Sequence, residues 1–133
     1  MKRILVAYDG GEPGRRALAT AIELARGLGA LLGVVSVVPV RTGRVPIEPG
    51  DDRETHAAEL LEAKRLLSEA GITADYLAPA GDPARTIEKL VEEFEYDIVV
   101  VGSRGLGPVS RFLQGSVSEH LATHAKATVV IAR

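Results

Sequence analysis

The chain has 133 residues, a formal net charge of −2, no cysteine, and hydrophobic and charged shares of 46% and 26%, both ordinary for a globular protein. That is the length of one domain, 1–133, with room for a real core, and the charge leaves no basic field to recruit nucleic acid or a membrane surface. Without cysteine there is no disulfide, thiol nucleophile or Cys-based metal site, and the apolar runs are strand-sized, so a cytoplasmic protein is expected.

Strand-like and helix-like runs alternate along the whole chain. Ile4 to Ala7 is a short continuous apolar run, as in a strand buried on both faces. Asp9-Gly-Gly-Glu-Pro13 is a turn, and from Arg15 to Leu28 the residues Ala17, Ala21, Leu24 and Leu28 recur at helical spacing until Gly29 closes the run. Leu31 to Val38 reads as a second strand. Glu54 to Ala70 reads as a helix with Ala57, Leu60, Leu61, Ala63, Leu67 and Ala70 as its stripe, stopped by Gly71. Ile72 to Leu77, more polar, reads as a third strand at an edge. Asp82-Pro83 starts a helix lined by Ile87, Leu90, Val91 and Phe94. Asp97 to Val101 and Thr128 to Ile131 complete five strands, with a further helix over Val117 to Ala125. The pattern predicts an α/β fold: one doubly wound, five-stranded parallel sheet between helices, a flavodoxin-like or Rossmann-like sandwich.

Two loops stand out. After the fourth strand comes Gly102-Ser-Arg-Gly105, then nine residues, then Gly115-Ser116 opening a helix. Glycines let an anion approach the main chain, and a helix start offers free N–H groups and a positive dipole. The same glycines also suit a plain strand end and turn; their place after an apolar strand favours a phosphate site. After the first strand comes Asp9-Gly10-Gly11, where Asp9 could equally be a turn or capping residue. In a doubly wound sheet, ligands bind beyond the carboxyl ends of the strands where strand order reverses, which would bring these two loops into one pocket.

Val6-Ala-Tyr-Asp-Gly10, Gly81-Asp-Pro83 and Gly102-x-x-Gly105, nine residues, Gly115-Ser116 together resemble the ATP-binding branch of the universal stress protein family. The resemblance covers the whole chain and implies a stress-response module whose contacts change with nucleotide occupancy. It implies that Ala7 and Asp9 lie beside the nucleoside and that the Val37 backbone meets adenine. By the same resemblance, Gly102 lies by the ribose, and Gly105, Gly115, Ser116 and Val117 hold the phosphates. It implies ATP, with Mg2+ held by the phosphates, and a homodimer through the last strand, alongside a protein partner it does not name. Family members often carry serine where this chain has Gly11 and Gly14, which would loosen the turn after Asp9. Pro39 to Asp52 matches nothing in the family.

Arg104 and Arg111 are the fixed cations inside the glycine motif, and Arg104 is the candidate for balancing phosphate charge. No residue of the motif loop is assigned the water-positioning role that hydrolysis needs, so no catalytic residue is assigned. A slow ATPase or autophosphorylating protein and a nucleotide-independent dimeric scaffold stay open as alternatives. His120 and His124 stand at i and i+4 on a helix, but no third ligand is evident in the sequence, and they read as surface histidines. The apolar stretch Ala127 to Ala132 reads as an exposed sheet edge, with Val130 in mid-strand as a ladder donor.

Overall fold

The computed structural model describes residues 2–39, 53–103 and 115–133, with the backbone alone at 115 and 116. Arg104, Gly105, Arg111 and the segment 40–52 lie outside the described residues. The elements run β1 (Arg3–Ala7), α1 (Glu12–Leu28), β2 (Leu31–Val35), α2 (Arg53–Glu69), β3 (Ala74–Leu77), α3 (Pro83–Glu93), β4 (Ile98–Gly102), α4 (Gly115–His124) and β5 (Thr128–Ala132). All four strand pairings are parallel and the order is β3-β2-β1-β4-β5, a doubly wound sheet with helices on both sides. Among the described residues no helix is long and apolar enough to cross a membrane.

The sheet divides the core by the two-residue period of its strands. Ile4, Val6 and Tyr8 pack with Ala17, Leu18, Ala21, Ala63 and Leu67 on the α1–α2 side. Leu5 and Ala7 pack with Val35, Ile87, Val91, Val99, Val117 and Leu121 on the α3–α4 side. β1 is therefore covered on both faces, which is why its sequence is unbroken apolar. β3 sits at one edge as its polarity implies, and β5 at the other.

Several boundaries differ from expectation, each for a local reason. α1 begins at Glu12 rather than Arg15, because Gly11 caps it, Pro13 fits its first turn and the Arg15 N–H already donates to Gly11 O (3.0 Å). Its C-terminus closes on Gly29 in the left-handed region, φ 63°. α3 is capped by Asp82, whose carboxylate accepts from the Arg85 N–H (3.1 Å). β2 ends at Val35 as a regular strand, although hydrogen bonds to the β3 side continue as far as Val38, which forms an isolated bridge with Ala80. In α2 the expected stripe is only half right: Ala63 and Leu67 are buried, whereas Ala57 is exposed and Leu61 is 68% exposed. Its first turns direct polar groups inward instead, His56 buried and Glu59 partly so. Leu28 and Phe94 also turn outward at helix ends.

Candidate functional site at the carboxyl end of the sheet

Strand order reverses at β1, whose neighbours β2 and β4 lead into crossovers on opposite sides. The carboxyl ends of these strands carry Ala7, Asp9, Val37 and Gly102, and α4 starts at Gly115 on the same side of the chain path. The fold thus gathers the described candidates at one switch point.

Asp9 closes the turn after β1 by accepting the Gly11 N–H on Oδ1 (3.0 Å), and Gly10 sits at φ 80°, where a side chain would be strained. Gly14 is tighter still. A Cβ there would lie 2.5 Å from Asp9 Oδ1 and 3.0 Å from its backbone nitrogen. Far from loosening the turn, glycine at 14 lets α1 press against it; only at Gly11, where a Cβ would sit 3.4 Å from Asp9 Oδ1, is there room for serine. Gly102 has a comparable packing role. A Cβ on it would meet Pro13 O at 2.5 Å, so β4 and the start of α1 are in backbone contact.

Val37 is placed by alternation. The Ser36 N–H donates to Leu77 O (2.9 Å), the Val38 N–H to Pro79 O (2.8 Å), and Val38 O accepts from Gly81 (2.9 Å), all on the β3 side. Val35 O, by contrast, accepts from the Tyr8 N–H (3.0 Å) on the β1 side. Successive peptide groups of an extended chain point to opposite sides, so the N–H and C=O of Val37 point past the end of β1. They make no hydrogen bond among the described residues. The side chains of Ala7, Val37 and Val117 are buried in one cluster, so any contact they offer a ligand is through the main chain. Burial of Val117 also ties the first turn of α4 into the core on the α3–α4 side of the sheet.

Three residues that sequence reasoning passed over form a polar wall beside the turn after β1, where Glu59 lies against Gly10. Ser36 Oγ lies 2.5 Å from His56 Nδ1 and donates to Glu59 Oε1 (3.3 Å), while His56 Nδ1 is 2.9 Å from the same Glu59 oxygen. Serine and carboxylate share one ring nitrogen. A nucleophilic relay needs them on opposite nitrogens, so this is a structural cluster, and no catalytic residue is gained. His56 is 7% exposed and its Nε2 has no hydrogen-bond partner among the described residues. Burial raises the affinity of both Asp9 and Glu59 for a proton above that of ordinary carboxylates. α2 is held over this wall by Glu62, which accepts from Tyr8 Oη (2.7 Å) and Arg15 (3.3 Å); burial and that bond push the Tyr8 phenol up to about 12. The single sequence signal for this wall was the i, i+3 pair His56 and Glu59 on the polar face of α2.

The architecture, the glycine positions and the motif coincide with a match of residues 1–133 to the Universal stress protein family. The chain belongs to the universal stress protein family. A relative from Thermus aquaticus, described as "Universal stress protein in QAH/OAS sulfhydrylase 3'region", is 33% identical over 135 residues, covering 99% of this chain and 98% of its own length. Among solved structures, a universal stress protein in complex with cAMP is similar with a TM-score of 0.74 at 24% identity, covering 99% of this chain and 97% of that one. The universal stress protein from Archaeoglobus fulgidus in complex with dAMP gives a TM-score of 0.73 at 22% identity, covering 100% and 98%. Both structural likenesses are likenesses of fold.

Proposed function

We propose that this universal stress protein binds ATP in the crevice between the ends of β1, β2 and β4 and acts as a regulatory module whose contacts depend on occupancy. The observation that carries the reading is the peptide of Val37, directed past the end of β1 and unbonded among the described residues. A free N–H and C=O in one extended residue match the paired acceptor and donor on the edge of adenine, and Asp9 supplies an acceptor for the nucleoside. Gly102 lies by the ribose, and Gly105, Gly115, Ser116 and Val117 hold the phosphates with Arg104 balancing their charge. The phosphates themselves hold Mg2+. Neighbours solved with cAMP and with dAMP support an adenine nucleotide as the ligand.

ATP is expected to protect the protein against thermal unfolding while GTP does not. The gain should follow RT ln(1 + [L]/Kd), about 2.7 kcal/mol at a hundredfold excess over Kd. Equal shifts with both nucleotides remove the adenine-reading role of Val37, and no shift with either removes nucleotide binding.

The proposed assembly is a two-fold dimer through β5. The ladder corrects which residues present the open edge. The Thr128 N–H donates inward to Asp97 O (3.0 Å), and Ala132 O accepts from Ser103 (2.8 Å), so even-numbered residues, Val130 included, face β4. Val129 and Ile131 direct their peptide groups outward, and Ile131 is 40% exposed. Ile131→Pro removes one outward donor and leaves the β4 ladder intact. The parent should scatter light as a dimer and Ile131→Pro as a folded monomer; a dimeric Ile131→Pro protein places the interface elsewhere.

A further inference from the structure

Away from the crevice, the fold supplies what the sequence lacked around the two histidines of α4. Glu88 on α3 reaches across to them, and the ligand atoms of Glu88, His120 and His124 all lie within 4.8 Å of one another. We propose that these three side chains form a binding site for a divalent transition-metal ion of the zinc class.

The donor set fits that class. Two imidazoles and one carboxylate suit borderline ions such as Zn2+ and Co2+, and poorly suit Mg2+ or Ca2+, which take all-oxygen shells. His120 and His124 sit one helical turn apart, and their rings are stacked with centroids 4.4 Å apart and planes inclined by 24°. The tautomer of His124 is already suitable. His124 Nδ1–H donates to the His120 carbonyl (3.0 Å), which leaves Nε2 of His124 with its lone pair free. Donating the other ring N–H to a backbone carbonyl is the usual way a ligating histidine is oriented.

His120 Nε2 and Glu88 Oε1 are 2.6 Å apart and share a hydrogen bond. In a tetrahedral shell with bonds near 2.1 Å, neighbouring donors stand about 3.4 Å apart. On binding, the ion would release the shared proton, leaving His120 with its N–H on Nδ1, and would open the pair by under about 1 Å between two side chains that are only 26% and 28% exposed. His124 is exposed, so the fourth position opens to water or to an external ligand.

The consequence is mechanical as well as chemical. The ion would bridge α3 to α4, and α4 is the ten-residue helix whose first residue is Gly115 of the glycine motif. A metal clamp at His120 and His124 would hold the far end of the helix that the proposed nucleotide site uses at its near end. The metal site itself does not depend on that nucleotide reading, and the experiment omits nucleotide, which would also chelate the ion.

Untagged protein without added nucleotide is titrated with ZnCl2 by calorimetry, and with CoCl2 while the visible absorption of tetrahedral cobalt is followed. One ion per chain is expected, with the cobalt band present and no heat from MgCl2. His120→Gln and His124→Gln should each weaken binding at least about tenfold. Glu88→Gln, which keeps a hydrogen-bond acceptor for His120, should also weaken it and shift the cobalt band. Circular dichroism of each variant reports folding; these side chains lie at the surface, and Glu88→Gln preserves shape should the histidine variants unfold. Absence of saturable one-to-one binding, or equal zinc affinity in the parent and a folded His120→Gln/His124→Gln double variant, overturns the proposal.

Discussion

The two ends of the sheet are built on opposite principles. At the amino end the strands tie each other down. The Arg3 N–H and C=O bond Asp97 Oδ2 and the Asp97 N–H, both at 2.8 Å, while the Leu31 N–H donates to Lys2 O (2.9 Å) and the Thr128 N–H to Asp97 O (3.0 Å). The Arg3 guanidinium stands 5.1 Å from the centre of the buried Tyr96 ring, a cation–π contact that covers this edge. At the carboxyl end the Val37 peptide points outward, two half-buried carboxylates resist ionisation, and His56 Nε2 has no partner among the described residues. The amino end carries a cost of its own, since Arg3 Nε is buried without a hydrogen-bond partner among the described residues and a cavity lies between Arg3, Thr73 and Tyr96. The contrast therefore rests on the outward Val37 peptide and the two carboxylates, and the proposed site would use that peptide and Asp9.

The largest expected effect tests the frame on which that end rests. Gly102→Val places a branched side chain against the Pro13 main chain, where a Cβ would already be 2.7 Å from both Pro13 C and Cβ. Backbone cannot move aside as a side chain can. A loss of about 3 kcal/mol is expected from such overpacking, measured by urea unfolding, with ATP protection lost as β4 and α1 separate. Stability within about 0.5 kcal/mol of the parent would mean the two elements are not in close contact.

A smaller effect separates two neighbouring glycines. Gly14→Ser must displace the Asp9 carboxylate and should cost about 1–3 kcal/mol, with ATP protection falling further than stability alone explains. Gly11→Ser, with ordinary contact distances, should remain within about 0.5 kcal/mol. Equal behaviour of the pair would show that Asp9 is not held by packing against α1.

How far the sequence reveals these ends follows from the range of the interactions involved. The unbroken apolar runs of β1 and β4, the glycine stops and the Asp82-Pro83 cap are local signals, and they were sufficient for the doubly wound sheet and its switch point. The edge position of β3 was legible in its polarity. The inward polar groups of α2's first turns were not, because His56 and Glu59 become meaningful only when Ser36, twenty or more residues earlier, is brought beside them. Glu88 was invisible as a partner of His120 for the same reason: 32 residues separate them, and only the packing of α3 on α4 makes them neighbours. The direction of the Val37 peptide likewise depends on the register of β2 with β3, which no spacing in the chain encodes.

The smallest expected effect is a dependence on pH. Asp9 in the folded protein holds its proton more tightly than a free carboxyl group of ordinary value 3.8, chiefly because burial disfavours the charge, against the Gly11 N–H bond that favours it. In the window just above 3.8 the folded state therefore binds more protons at this site than the unfolded state, and this contribution to stability declines as pH rises through it. Glu59 acts with the same sign, whereas Glu62, lowered by its bond from Tyr8, acts with the opposite one, so the parent alone would show a mixture. Asp9→Asn isolates the term, since an asparagine oxygen can still accept the Gly11 N–H while carrying no charge to desolvate. The stability of Asp9→Asn relative to the parent should rise with pH across that window and level off above it, as followed by urea unfolding at a series of pH values. ATP protection should fall in the same variant, because the proposed acceptor for the nucleoside has lost its charge. A difference that is flat with pH would show that Asp9 is solvated in solution, and with it the contrast between the two ends of the sheet would lose its clearest electrostatic sign.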